Sequence, residues 1–221
     1  MAASDLSIEC EGRWLVARFG EPHTAWSWAI VNGGRVETEA VAWYFLRAGE
    51  LTEALDPETL LREALRRRGL GDAVGLLTSR RAGAYVQGEA ECEGIRCHTV
   101  ATVGLSNALR AGDPLSVAQT AGTINALCRV SVSLTAEAGI EALAVAAEAR
   151  TAAVLESGTE SAVSRLPATG TGTDCIVVAH PNSGRPERYA GKHTAIGHVI
   201  GLSVYDAVRR GAALWHAEQN P

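Results

Sequence analysis

The sequence predicts a mixed α+β fold of the broad α/β class, a single domain in which a mixed β-sheet is covered by long helices. Three observations carry this. Apolar runs rich in β-formers recur through the first half and centre of the chain, and segments of helical composition lie between and after them. The third is length: 221 residues suffice for one substantial core but would leave a second autonomous domain cramped. With no internal repeat or low-complexity linker, residues 1–221 read as one domain.

Strands are expected over 14–19, 26–31, 73–78, 98–105, 124–134 and 175–179, where short apolar stretches are bounded by turn formers. The first helix is well signed in LDPETLLREALRRRG. Asp56 is placed to cap, Pro57 takes the first helical position, three arginines fill the last turn and Gly69 stops it. A second helix is expected over 135–155, alanine-rich and opened by Thr135 as cap. A third runs from about 194 to 217, with Gly197 and Gly201 one turn apart for close packing.

Composition excludes several classes. Hydrophobic residues make up 47% and charged ones 20%, which argues against a disordered or fibrous chain. Acids outnumber bases 25 to 20 and the arginines are scattered, so no phosphate-backbone footprint is present and no nucleic-acid partner is expected. No stretch reaches about 18 apolar residues and the first 13 carry three acids, which predicts no membrane insertion and a cytoplasmic location. The five cysteines include no C-x-x-C pair, which argues against disulfides and structural zinc; Cys128 and Cys175, set in apolar runs, read as small buried hydrophobes.

Three clusters can carry chemistry. In ATGTGTDCIVVAH (168–180), Thr169, Thr171 and Thr173 alternate with Gly170 and Gly172 ahead of Asp174. The loop lacks a Walker lysine and feeds a β-like run rather than a helix, so a nucleotide phosphate site has little support. Its residues leave open both a turn capped by Asp174 and a binding loop with Asp174 as its working acid. Lys192 and His193 stand just before the helix that Thr194 can cap, where a helix N-terminus favours an oxyanion and depresses a nearby imidazole pKa. His193 reads either as a neutral base or donor, or as a solvated loop histidine, whereas His180 and His198 read as structural. Asparagine turns form the third cluster: Asn32-Gly33-Gly34, Ser106-Asn107, and the segment 122–127 with Thr123 and Asn125. Each satisfies backbone or presents an amide to an amide-rich ligand. Glu137, Glu141 and Glu148 share a helix stripe that is ordinarily solvated, and Glu148 stands out beside Arg150 and Thr151. No G-x-S-x-G elbow or H-E-x-x-H pair is present.

Taken in order, NGG at 32–34, VGLLTS at 74–79, TVGLSNA at 102–108, GTINAL at 122–127, AAEARTAAV at 146–154, TGTGTDCIVVA at 169–179 and YAGKHTAIGHVIG at 189–201 resemble the adenosylcobinamide amidohydrolases, the CbiZ family. Any one block is weak, and seven in register are specific. The resemblance implies hydrolysis of the amide joining a corrin propionyl arm to aminopropanol, releasing adenosylcobyric acid for salvage into coenzyme B12; some members also act on complete cobamides such as pseudocobalamin.

A corrinoid is a large flat ring edged with neutral carboxamides, so its site needs hydroxyls, amides and apolar surface. Asn32, Gly33, Gly34, Asn107, Thr123, Asn125, Thr169, Gly170, Thr171, Gly172, Thr173 and Thr194 are then expected to bind substrate, with Trp26, Trp28 and Trp43 as candidate stacking walls. On chemical grounds Asp174 or Glu148 is the expected base for water, His193 the proton donor to the amine, and Lys192 or the helix start the oxyanion partner. A threonine nucleophile, Thr171 or Thr173, and a metal held by Asp174, Glu148 and His193 are the alternatives. No cofactor is expected to be required, and the sequence leaves a divalent metal and a homo-oligomer open. The rival function is a non-catalytic corrinoid carrier.

Overall fold

The computed structural model describes residues 6–47, 49–51, 55–115 and 122–219. Strands β1 (Leu6–Glu11), β2 (Trp14–Ser27) and β3 (Gly34–Phe45) run antiparallel in sequence. Helix α1 (Pro57–Arg67) leads to β4 (Val74–Thr78), which lies parallel to β3. The hairpin β5 (Val86–Cys92) and β6 (Ile95–Val103) is followed by short β7 (Ala108–Leu109) and by β8 (Ile124–Val130). Helix α2 (Ala136–Glu156), short β9 (Gly170–Thr171), β10 (Cys175–Pro181) and helix α3 (Ala195–Gln219) complete the chain. The large sheet has the order β4-β3-β2-β10-β8-β6-β5, with β1 also on β2; β7 and β9 form a separate pair.

The sheet is mixed, as the sequence predicts: β10 is parallel to β8 but antiparallel to β2. β2 is long enough to serve two neighbours, pairing with β1 through residues 14 to 19 and with β10 through 23 to 27. Its register with β3 shifts between Arg18 and His23, an irregularity that bends a strand. The sheet folds over so that β8 reaches β4, the Asn125 side chain donating to the Leu77 carbonyl. Leu15, Ala17, Val41, Trp43, Val74 and Leu76 share one buried cluster with Val100, Leu127 and Val177 of β6, β8 and β10.

Outside this internal core lie two helical layers. Leu61 and Leu65 of α1 cover Val16, Ala40 and Ala42 on the outer face of β2 and β3. On the opposite side, Ala142, Val145 and Ala146 of α2 and Val199, Ile200 and Val204 of α3 bury Cys128, Ile176 and Val178. Alanines let α2 sit close to both the sheet and α3. The helix starts follow the expected chemistry: Asp56 accepts from Thr59 N–H at 2.9 Å, Thr135 accepts from Ala138 N–H at 3.3 Å, and Thr194 accepts from Gly197 N–H at 3.0 Å.

Three strands, β1, β3 and β5, lie where the sequence reading placed none. β1, β5 and the first half of β3 alternate buried or half-buried positions with outward polar ones, so they contain no continuous apolar run, whereas the apolar run Ala40–Phe45 in the second half of β3 was passed over. The strand expected over 26–31 ends at Ser27, since Asn32 adopts φ 54 and closes a turn. The one expected over 124–134 ends at Val130, where the chain turns into the α2 cap. Cys128 and Cys175 are buried free thiols, as expected. Among the described residues no helix is long and apolar enough to cross a membrane.

Trp43 is fully buried between the two halves of the sheet. Trp43→Ala is expected to lower unfolding free energy by about 3–5 kcal/mol, read from the denaturant midpoint at constant slope. A shift below about 1 kcal/mol would show that the internal core does not depend on it.

Candidate functional site

Where β8 and β10 begin, the closing of the sheet leaves a cavity of about 520 Å³. Its far wall comes from the end of β4 (Leu76, Leu77, Thr78, Ser79) and from the segment after β2 (Trp28, Ala29, Ile30). Leu46, Leu51 and Pro57 extend this apolar side, and Trp28, Ile30 and Leu51 are exposed there. The opposite side is polar and neutral: Asn107, Gly122, Thr123 and Asn125 face Gly172 and Thr173, with Asp174 and Cys175 at the start of β10.

One ion pair organises the polar side. Arg150 of α2 donates to the Asp174 carboxylate, and both side chains are largely buried, at 14% and 6% exposure. The same carboxylate accepts from the backbone N–H of Ile124 and of Thr171, each at 2.9 Å, and from the Thr171 hydroxyl. Four donors use the full accepting capacity of a carboxylate. Burial pulls the Arg150 pKa below its usual value, yet a guanidinium remains cationic and keeps Asp174 paired. The Asp174 backbone also takes part, its carbonyl accepting from the Trp28 indole N–H. Asp174 thus fixes helix, loop and two strand starts at once.

Around it the threonines cross-link the two loops. Thr123 donates to the Thr173 carbonyl at 2.8 Å, and Thr173 donates back to the Gly122 carbonyl at 3.0 Å. A carbonyl cannot accept the proton that a nucleophilic hydroxyl must lose, so this arrangement does not activate Thr173. Asn125 reaches across the cavity, its Nδ2 donating to the Leu77 carbonyl at 2.6 Å, and so ties β8 to β4. Burial pushes the Cys175 thiol up to about 12, which keeps it protonated and unreactive at neutral pH.

The residues expected from sequence to act together lie at different places in the structure. Asp174 accepts from four donors. Glu148 lies two residues from Arg150, which turns it about 200° around the helix and away from Asp174. There it forms an exposed ion pair with Lys192. His193 is exposed, and it is not part of the cavity lining. Asp174, Glu148 and His193 therefore do not converge on one metal position, and among the described residues no other set of three such ligands does.

Of the expected binding residues, Asn107, Thr123, Asn125, Gly172 and Thr173 line the cavity, whereas the others serve the frame. Asn32 donates from Nδ2 to the Gly71 and Ala73 carbonyls, holding the turn through Gly33 and Gly34. Thr169 accepts from Ala111 N–H at 2.8 Å, Gly170 and Thr171 pair with β7, and Thr194 caps α3. Of the three tryptophans, Trp28 alone lines the cavity; Trp43 is core and Trp26 packs against Gly139 of α2. The residue sequence reasoning passed over is Arg150. Its signal was a cation within an alanine-rich helix, which calls for a buried counter-charge.

Comparison with known proteins gives a family and distant structural likenesses. The family model described as adenosylcobinamide amidohydrolase, CbiZ, matches residues 2–220. No curated protein matches the chain. Among solved structures, the PH0078 protein of Pyrococcus horikoshii OT3 is similar at 12% identity and a TM-score of 0.44, over 94% of this chain and 82% of that one. The L-aminopeptidase D-Ala-esterase/amidase of Ochrobactrum anthropi is similar at 14% identity and a TM-score of 0.43, with the same coverage of 94% and 82%.

Asp174→Asn is expected to destabilise the protein by about 3 kcal/mol or more, because it leaves a buried guanidinium without its counter-charge. Arg150→Met with Asp174→Asn should lose less than the sum of the two single changes. Thermal or urea unfolding of the four proteins measures this, and strict additivity would show that the pair does not act as a unit.

Proposed function

The chain belongs to the adenosylcobinamide amidohydrolase (CbiZ) family, and from that premise we propose that it cleaves the aminopropanol amide of adenosylcobinamide at the cavity where β8 and β10 begin. Membership makes it a hydrolase acting on an amide bond. The observation that carries the placement is the meeting of family-like blocks. VGLLTS, TVGLSNA, GTINAL and TGTGTDCIVVA each contribute lining residues to this one cavity. AAEARTAAV contributes Arg150 beneath it.

The lining suits the substrate chemistry. A corrinoid with its adenosyl group is too large to be enclosed in about 520 Å³, but an amide-bearing arm can enter while the ring rests on the mouth. Trp28, held by the Asp174 carbonyl, and its exposed neighbours Ile30 and Leu51 offer apolar surface for the ring. Neutral amides and hydroxyls opposite match neutral carboxamides without burying an unpaired charge. In hydrolysis, water adds to the carbonyl carbon and the carbon–nitrogen bond breaks. The amine leaves with both protons of that water, as an ammonium, and a carboxylate remains. We extend the same reading to pseudocobalamin, whose corrin arm carries the same amide.

A carrier is the second reading. It is favoured by one observation: among the described residues, the charged side chain lining the cavity, Asp174, is already fully paired. Incubation with adenosylcobinamide decides between the two. Release of 1-amino-2-propanol with formation of adenosylcobyric acid is the expected outcome, and tight corrinoid binding without amine would establish the carrier.

Glu148→Gln, Lys192→Ala and His193→Gln are each expected to leave turnover within about threefold of wild type, since an exposed pair and an exposed imidazole away from the lining contribute little. A loss of about 100-fold in any of them, the scale of a missing general acid or base, would relocate the reacting atoms toward the start of α3.

A further inference from the structure

We propose that the side-chain amide of Asn107 donates to the scissile carbonyl oxygen and stabilises it as it becomes an oxyanion. This makes Asn107 a catalytic residue of the hydrolysis and rests on the function proposed above.

The argument begins with which donors are free. On the polar side of the cavity, the Thr123 and Thr173 hydroxyls donate to carbonyls of each other's loops, and Asn125 Nδ2 donates to Leu77. Asn107 differs. It lines the cavity at 6% exposure, and its side-chain amide has no hydrogen-bond partner among the described residues. An amide that lines a cavity without an internal partner is left to donate to whatever occupies that cavity.

Its placement is fixed by neighbours that leave room for it. The Asn107 carbonyl accepts from Gly172 N–H at 3.2 Å. A Cβ at Gly122 would come within 2.6 Å of Asn107 N, and one at Gly172 within 3.0 Å of Asn107 Nδ2. Glycine at both positions opens the slot in which the asparagine lies. Gly172 is in turn held two residues from Asp174 by the pairing with Arg150. A neutral donor so held needs no reorganisation when charge develops on a nearby oxygen. An amide N–H cannot act as a base, so its chemical use here is to donate to oxygen. As water adds to the carbonyl carbon, the π pair moves to oxygen, and this donor meets the new charge. When the carbon–nitrogen bond breaks, the pair returns and the oxygen becomes part of the product carboxylate.

The test compares wild type with Asn107→Ala and with Asn107→Asp, which keeps the shape but removes both N–H donors. Amine release is measured as kcat and KM, beside thermal midpoint and corrinoid binding followed by absorbance. Both variants should lose about 100- to 1,000-fold in kcat with KM changed less than about threefold. Their midpoints should not fall, because the amide has no internal partner to lose. An active wild type whose variants keep kcat within about tenfold, or lose only affinity, overturns the role and makes Asn107 at most a ground-state contact. A wild type that binds corrinoid but releases no amine overturns the proposed function and this inference with it.

Discussion

The buried pairing of Arg150 with Asp174 is the constraint on which the site depends. Asp174 ends the polar loop and begins β10, its carboxylate holds the first amide of β8, and its carbonyl fixes the Trp28 indole. Arg150 brings α2 to the same point. Five segments are thus tied to one residue: α2, the loop 170–173, β8, β10 and the chain after β2. Charge burial makes such a node all-or-none, since either partner left alone is far less favourable than the pair. The acid beside the cavity thereby holds the frame of the site together.

Around this node the two sides of the cavity arise from different causes. The apolar wall comes from the end of β4 and the segment after β2, which face the starts of β8 and β10 across the cavity. Asn125, reaching Leu77, ties the halves together at the rim. The polar side exists because two threonines and two glycines hold neighbouring loops close while leaving a slot for Asn107. Each side suits one part of a corrinoid: apolar surface for a ring, neutral donors and acceptors for its amides.

Much of the frame was legible in the residues. Helix starts at Asp56, Thr135 and Thr194 follow from local hydrogen-bond chemistry, which depends on three or four consecutive residues. Continuous apolar runs marked β4, β6, β8 and β10, which are buried on both faces. β1, β5 and the first half of β3 were not legible, because one face of each meets solvent and carries polar groups, and the apolar second half of β3 was not read as a strand either. The amide- and hydroxyl-bearing loops at 107, 123 to 125 and 172 to 174 could be named as candidates, but not their division of labour.

Sequence by itself determined the helix caps, the mixed α+β class, the neutral polar character of the loops and, through seven ordered blocks, the family. Tertiary structure alone decided which polar groups remain free. Asp174 looked like a working acid until four donors reached it from α2, from its own loop and from β8. Glu148 and Lys192 looked like partners in chemistry until α2 was seen to turn Glu148 outward, where it meets Lys192 of the loop before α3. Asn107 was one amide among several until Thr123, Thr173 and Asn125 were seen to be committed elsewhere. Local propensity acts over a few residues, whereas a hydrogen bond across 24 or 50 residues exists only once the sheet has closed.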